Sequence, residues 1–207
     1  MNSRVLTYST AIALSAIALL STTIVTADES VDEWSISPDR SSITFHSSAP
    51  AESFSGTSED ISGTVRWNRD SPRYSTAEIS FPVESMRTGN RTRDRHLAND
   101  DWLNADEHPE VRFTLEGLDD LRVARPEGQI HYRATARGTV DLHGVEKETE
   151  ATVEIAVLGQ DKIARIQPSL EFALADHNIE GAGGDRAIGT AVGEVIEVEG
   201  TIYASWD

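Results

Sequence analysis

The chain contains no cysteine. That absence excludes disulfides, a thiol nucleophile and thiolate metal sites, so stability must come from packing. Basic charge is scarce as well, with 18 Lys and Arg against 35 Asp and Glu. The resulting formal charge of −17 repels nucleic acid and anionic membrane surfaces. Because the acids are dispersed rather than blocked, they read as a solvated outer face, and a high-salt habitat is one plausible cause. No Pro/Gly/Ser linker, charge block or internal repeat divides the chain.

Catalytic and metal-binding signatures are missing too. The histidines are His46, His96, His108, His131, His143 and His177, and no pair has the i, i+4 spacing that places two ligands on one helix face. Neither a Gly-x-Ser-x-Gly elbow nor a Ser-x-x-Lys motif occurs. Asp94 and His96, two residues apart, would point in different directions on a helix. The glycine-rich stretch 181–185 reads as a loop without the strand-to-helix context of a phosphate cradle. No catalytic residue, metal ligand or cofactor is therefore assigned.

Long apolar runs are confined to residues 11–20. With Arg4 as the only charge and Val25-Thr26-Ala27 as a small-residue cleavage site, residues 1–27 read as a secretory signal peptide. The apolar run is shorter than the ~20 residues that span a bilayer. Cleavage would remove Arg4 and leave residues 28–207, one domain of charge −18 (−17 − 1), periplasmic or secreted and not membrane-spanning.

What the mature chain does have is alternation. Val65 and Trp67, then Ala77, Ile79, Phe81 and Val83, recur at every second position, the spacing of half-buried strands. The longest such run goes from Ile130 to Leu142, with His131 and His143 on its wet side. Ser53 to Ser62 reads as a bent or bulged edge. About eight strands spell an all-β antiparallel sheet, closed as a barrel or split as a sandwich. Many inward positions are small, including Gly63, Ala77, Ala134, Ala136 and Gly138, beside bulky Trp67, Phe81 and Phe113. Small inward residues can fit the taper of a filled barrel or leave a cavity for one ligand.

Alternation stops between Arg91 and Pro109, where Leu97, Ala98, Trp102 and Leu103 cluster at helical intervals. Thr92 suits a first helix cap and Asn99 a second, and Asp100 and Asp101 suit the positive end of a helix dipole. Arg87, Arg91, Arg93 and Arg95 crowd the same region. Such guanidiniums either hold a polar head at a cavity mouth or pair with Asp94, Asp100, Asp101 and neighbouring carboxylates to fix the helix over the sheet.

The runs Arg93-Asp94-Arg95-His96-Leu97, Asp101-Trp102-Leu103-Asn104 and His108-Pro109-Glu110-Val111-Arg112-Phe113 resemble the signature of the YceI-like family of secreted lipid-binding proteins. Gly138 to Lys147 and Asp176-His177-Asn178-Ile179 follow in family order. Three positions depart from the pattern: Ser41 for a frequent histidine, His108 for tyrosine and His177 for phenylalanine.

The resemblance implies an extended, lipocalin-like antiparallel barrel with a short helical insertion, holding a long-chain lipid, typically a polyisoprenoid. Under that reading Trp67, Phe81, Met86, Leu97, Trp102, Phe113, Tyr132, Val140 and Phe172 are the expected lining or lid residues. No catalysis is required, and oligomeric state, including a homodimer, stays open. Two alternatives remain. One is an accessory protein or enzyme acting on a quinone-like lipid, with His96 or His177 in the cavity; the other is a stress-related structural barrel with a filled interior.

Overall fold

A computed structural model describes residues 30–126, 129–159, 162–181 and 187–206. The expected signal peptide, 1–27, and most of the expected glycine-rich loop, 182–185, lie outside the described residues. In chain order the strands are β1 (Val31–Ile36), β2 (Ser42–Ser48), β3 (Ser53–Ser58), β4 (Ser62–Asn68) and β5 (Thr76–Pro82). After helix α1 (Arg91–Ala98) come β6 (Glu110–Ala124), β7 (Ile130–Leu142), β8 (Val145–Leu158), β9 (Ile163–Ala173) and β10 (Val195–Ser205).

All ten strands belong to one antiparallel sheet, ordered β1-β4-β5-β6-β7-β8-β9-β10-β2-β3, and β1 also pairs with β10. That last pairing, Ser35 with Ser205 and Ile36 with Ala204, closes the sheet into a barrel rather than a sandwich. Ten strands fill only eight positions around the ring. β1 and β2 lie in succession along β10, and β3 and β4 make the next broken position, facing β2 and β1 respectively. The expected eight-stranded, lipocalin-like barrel is thus correct, with two of its staves interrupted.

Each interruption has a local cause. Between β1 and β2 the chain turns at Pro38–Arg40, where proline opens a single 3-10 turn. The Ser41 hydroxyl donates to Ser37 O at 2.7 Å and accepts the Tyr203 amide at 3.0 Å, tying the break to β10. The departure at Ser41 therefore serves the backbone. Residues 53–58 are an edge as expected, since β3 ends the sheet order, but the edge carries no bulge: β3 pairs with β2 from Ser53 to Ser58 in regular register. Ile61, fully buried, separates β3 from β4.

The helical region differs from its sequence reading. Asn90, not Thr92, caps α1, with its side-chain oxygen accepting the Thr92 and Arg93 amides at 3.0 and 3.3 Å. Asn99 ends α1 instead of starting a second helix, and residues 99–107 form successive turns. Asn104, at φ 47°, adopts the left-handed conformation that a continuing right-handed helix does not allow. Gly63 is also misplaced by strict alternation. It does not line the cavity, and its φ of 144° and close approach to Glu78 O, which a Cβ would meet at 2.1 Å, reserve the position for glycine.

Two apolar clusters fill the barrel's ends. The lower contains Trp34, Val65, Trp67, Ala134, Ile155, Ile202 and their neighbours. The upper contains Phe45, Val83, Met86, Leu103, Leu142, Leu174 and Ile179, with Leu97 and Trp102 packed against it.

Candidate functional site

A cavity of about 200 Å³ runs between these clusters. Along β6 it is lined from Val111 to Leu118, on the order of 20 Å at ~3.3 Å per residue. It is therefore long and narrow, and smaller than the ~300–1,000 Å³ usual for ligand pockets. Its width comes from the small residues on the long strands: Ala77, Ala136 and Ala151 all line it and are buried.

Of the nine expected lining residues, Trp67, Phe81, Met86, Leu97, Trp102, Phe113, Val140 and Phe172 line the cavity. Tyr132 does not. Its ring meets Trp67 edge-on at 5.0 Å on the inward face of β7, packed against the lower cluster beyond the cavity lining, and burial pushes its phenol above the ordinary 10.0 against the pull of Arg125. The sequence reading missed Trp34, Leu118, Leu174 and Ile179, which also line the cavity. Trp34 was visible as an alternating apolar position of β1, but nothing local distinguished it from ordinary core.

The lining contains three serines, each engaged by the protein. Ser47 Oγ accepts the Gly193 amide at 2.9 Å, Ser58 Oγ lies 2.6 Å from Ser85 Oγ, and Ser75 Oγ accepts the Asn68 amide at 3.0 Å. The remaining lining is apolar apart from Arg112, which reaches Glu110 at 3.1 Å. The cavity can take up hydrocarbon without stripping water from a lining charge that lacks a partner.

The two ends differ. At the lower end Trp206, Trp34, Trp67 and Tyr132 form a continuous ring stack, and Trp34 is 1% exposed. At the upper end Phe54, Leu97 and Trp102 are only half-buried and form a lid. Arg93 fastens this lid: its guanidinium reaches Glu52 at 2.8 Å and lies 4.0 Å over the Phe54 ring. Asp94 accepts from the Thr88 amide at 2.8 Å and the Thr88 hydroxyl at 2.7 Å. Burial pushes the Asp94 carboxyl upward, but the Thr88 bonds, Arg87 and Arg93 outweigh it and hold it below the ordinary 3.8. Among the described residues only Arg93 of the four arginines forms an ion pair, with Glu52 of the β2–β3 turn; the expected pairs with Asp94, Asp100 and Asp101 do not form, and Arg87 and Arg95 donate to backbone carbonyls instead.

No histidine lines the cavity, although the His177 ring packs edge-on against the lining ring of Phe172 at 5.4 Å. His177 is 1% exposed and its Nδ1 lies 3.0 Å from Val145 O, while His143 Nδ1 lies 3.1 Å from His177 O. His143 is therefore not on a purely wet face. His108 packs edge-on against His143 at 5.2 Å, which gives the second departure from the family pattern a structural role. Neither His96 nor His177 lines the cavity. Among the described residues no group of three or more His, Asp or Glu side chains could hold a metal, and no helix is long and apolar enough to cross a membrane.

Comparison with known proteins places this geometry. Protein YceI of Escherichia coli is 27% identical over 155 residues, covering 70% of this chain and 72% of that one. A UPF0312 protein of Photorhabdus laumondii is 24% identical over 136 residues, and the chain spans 66% of its length. BcnA of Burkholderia cenocepacia superposes with a TM-score of 0.68 at 16% identity, over 82% of this chain and 99% of that one. A polyisoprenoid-binding domain from Saccharophagus degradans, implicated in plant cell wall breakdown, gives 0.64 at 17%, over 84% and 98%. The YceI-like domain profile matches residues 34–204, from the buried Trp34 to the closing strand β10, and the chain belongs to the YceI-like family.

Proposed function

We propose that the protein is an exported carrier, periplasmic or secreted, that holds a polyisoprenoid or similar long-chain lipid inside its barrel. The observation that carries this reading is the narrow apolar cavity from Trp34 to Trp102, whose serines are engaged by the protein itself. The polyisoprenoid-binding domain of Saccharophagus degradans supports the choice of ligand, since it has the same fold. Burial of each CH₂ contributes about 0.8 kcal/mol, so a chain of many carbons binds tightly even after the cost of ordering it. No chemical step is assigned, and neither His96 nor His177 is among the residues that line the cavity.

The modest cavity volume favours one competing reading, a structural barrel that binds nothing. Ala136→Phe separates the two. Ala136 is buried and lines the cavity, so a phenyl ring there occupies ligand space. For a carrier, polyprenol affinity measured by tryptophan fluorescence falls at least tenfold, and the melting midpoint drops by less than about 4 °C. In a filled barrel the same change overpacks the core: the midpoint falls by more, and the parent protein binds no polyprenol.

A further inference from the structure

We propose that the stacked indoles of Trp34 and Trp67 are the floor of the cavity and set the length of lipid tail it accepts, the tail lying downward and the head at the lid. The inference rests on the carrier reading and adds orientation and length to it. Four rings stack in the order Trp206, Trp34, Trp67 and Tyr132, with neighbouring centroids 4.9, 4.9 and 5.0 Å apart. The inner two line the cavity, while Trp206 and Tyr132 do not. On β7, β8 and β9 the lining stops at Ala136, Ile155 and Ile166, and the next inward residues toward that end, Ala134, Val157 and Ala164, pack in the lower cluster outside the lining. The bore therefore ends on the two indoles, with packed side chains behind them.

Nothing at the floor offers a polar head a partner. Val65, Ala77, Ile155 and Ile202 share the lining with the indoles, and Ser75 Oγ already accepts the Asn68 amide at 3.0 Å. A head seated there would lose its water after passing the whole apolar bore and gain no bond. At the lid Phe54, Leu97 and Trp102 are half-buried, so a head left there stays hydrated. The bore is on the order of 20 Å long, and 200 Å³ spread over that length leaves room for one strand of hydrocarbon and none for a tail that folds back. An extended chain advances about 1.2 Å per bond, as the three-bond repeat of a polypeptide shows, so the bore takes about 16 chain atoms, or roughly four isoprene units.

The test equilibrates the protein with phosphatidylcholine vesicles carrying equal amounts of all-trans isoprenoid alcohols of two to eight units, and identifies the lengths extracted from the re-isolated protein. Units inside the bore stay buried as they were in the vesicle, whereas units beyond it return to water at a cost of about tenfold in affinity for every two CH₂ groups. The bound alcohols should therefore peak near four units, with eight units at least about tenfold scarcer. By register Trp34, Val65 and Ala77 face one another on neighbouring strands, so Ala77→Leu fills space beside the floor and should move the peak to shorter alcohols. Trp67→Leu lowers the floor and should move it to longer ones. Opposite shifts do not follow from a general loss of stability, and the parent with Ala77→Leu decides the matter where Trp67→Leu does not fold. A four-unit alcohol tagged with a nitroxide at its oxygen should broaden the Thr57 and Arg87 amides and spare the Trp34 and Trp67 indoles. A population that stays level or rises through eight units, a peak that Ala77→Leu leaves in place, or the reverse broadening pattern overturns the floor while leaving the carrier reading intact. Uptake of no alcohol of any length overturns the carrier reading itself and the floor with it.

Discussion

The lower and upper halves of the barrel are built from the same strands but held by different forces. Below, β1 pairs with both β4 and β10, the ring is continuous, and three indoles and a phenol stack across the interior. Above, the β2–β3 hairpin meets the segment after β5 through a single backbone bridge, in which Thr57 and Arg87 exchange amide-to-carbonyl bonds of 2.8 Å. The rest of that seam is covered by α1 and its side chains, fastened by Arg93 and Asp94. Opening the lower end breaks a ladder and a desolvated aromatic stack; opening the upper end breaks two backbone bonds, the Ser58–Ser85 hydrogen bond and a partly exposed ion pair. Local openings follow the smaller cost, so the upper seam is the side from which the cavity is reached.

The largest expected effect breaks the closed half. Trp67→Ala removes the ring that touches both Trp34 and Tyr132, and large-to-small core changes of this kind cost about 3–5 kcal/mol. Urea unfolding should show the loss as a lower midpoint with an unchanged slope. A cost below about 1 kcal/mol would mean that the stack does not hold that end.

A smaller effect sharpens the contrast. Arg93→Ala removes a pair whose side chains are 21% and 50% exposed, together with the stacking on Phe54. Together these contribute about 1 kcal/mol. The change should speed hydrogen exchange at the Thr57 and Arg87 amides and lipid release, while amides of β7 and β8 keep their protection. Equal acceleration throughout the barrel would show that the halves are not independent.

The smallest effect is one of pH. The Asp94 carboxyl is depressed in the fold, so its contribution is fully present above the unfolded value near 3.8 and is lost as pH falls through the lower folded value. Lipid release should therefore accelerate in acid below about pH 4, and Asp94→Asn should release faster at neutral pH with less further change in acid. Identical acid profiles for parent and variant would remove Asp94 from the latch.

The strands were legible because each buries one face: Ile130 to Leu142 alternates without a break, and β7 has those bounds. Bulges were not, since the register shifts in β6 between Leu115 and Gly117 and between Asp119 and Arg122 depend on how two strands meet. The helix was legible in place but not in detail. Asn90 and Thr92 are both good caps, and Asn90 is the one used, while Asp94 reaches back to Thr88 from the first turns of α1. Tyr132 and Trp34 sit near the same end of the barrel on different strands. Sequence alternation placed Tyr132 inward, and the closed ring shows it packed on Trp67 beyond the lining, while Trp34 lines the cavity.

Native mass spectrometry of the protein produced from its full-length chain, followed by solvent extraction and identification of what is released, tests the central claim most directly. The account predicts one polyisoprenoid or similar long-chain lipid per chain, on a mature protein beginning after Ala27. An empty protein that also takes up no polyprenol when offered one would contradict it and leave a filled structural barrel.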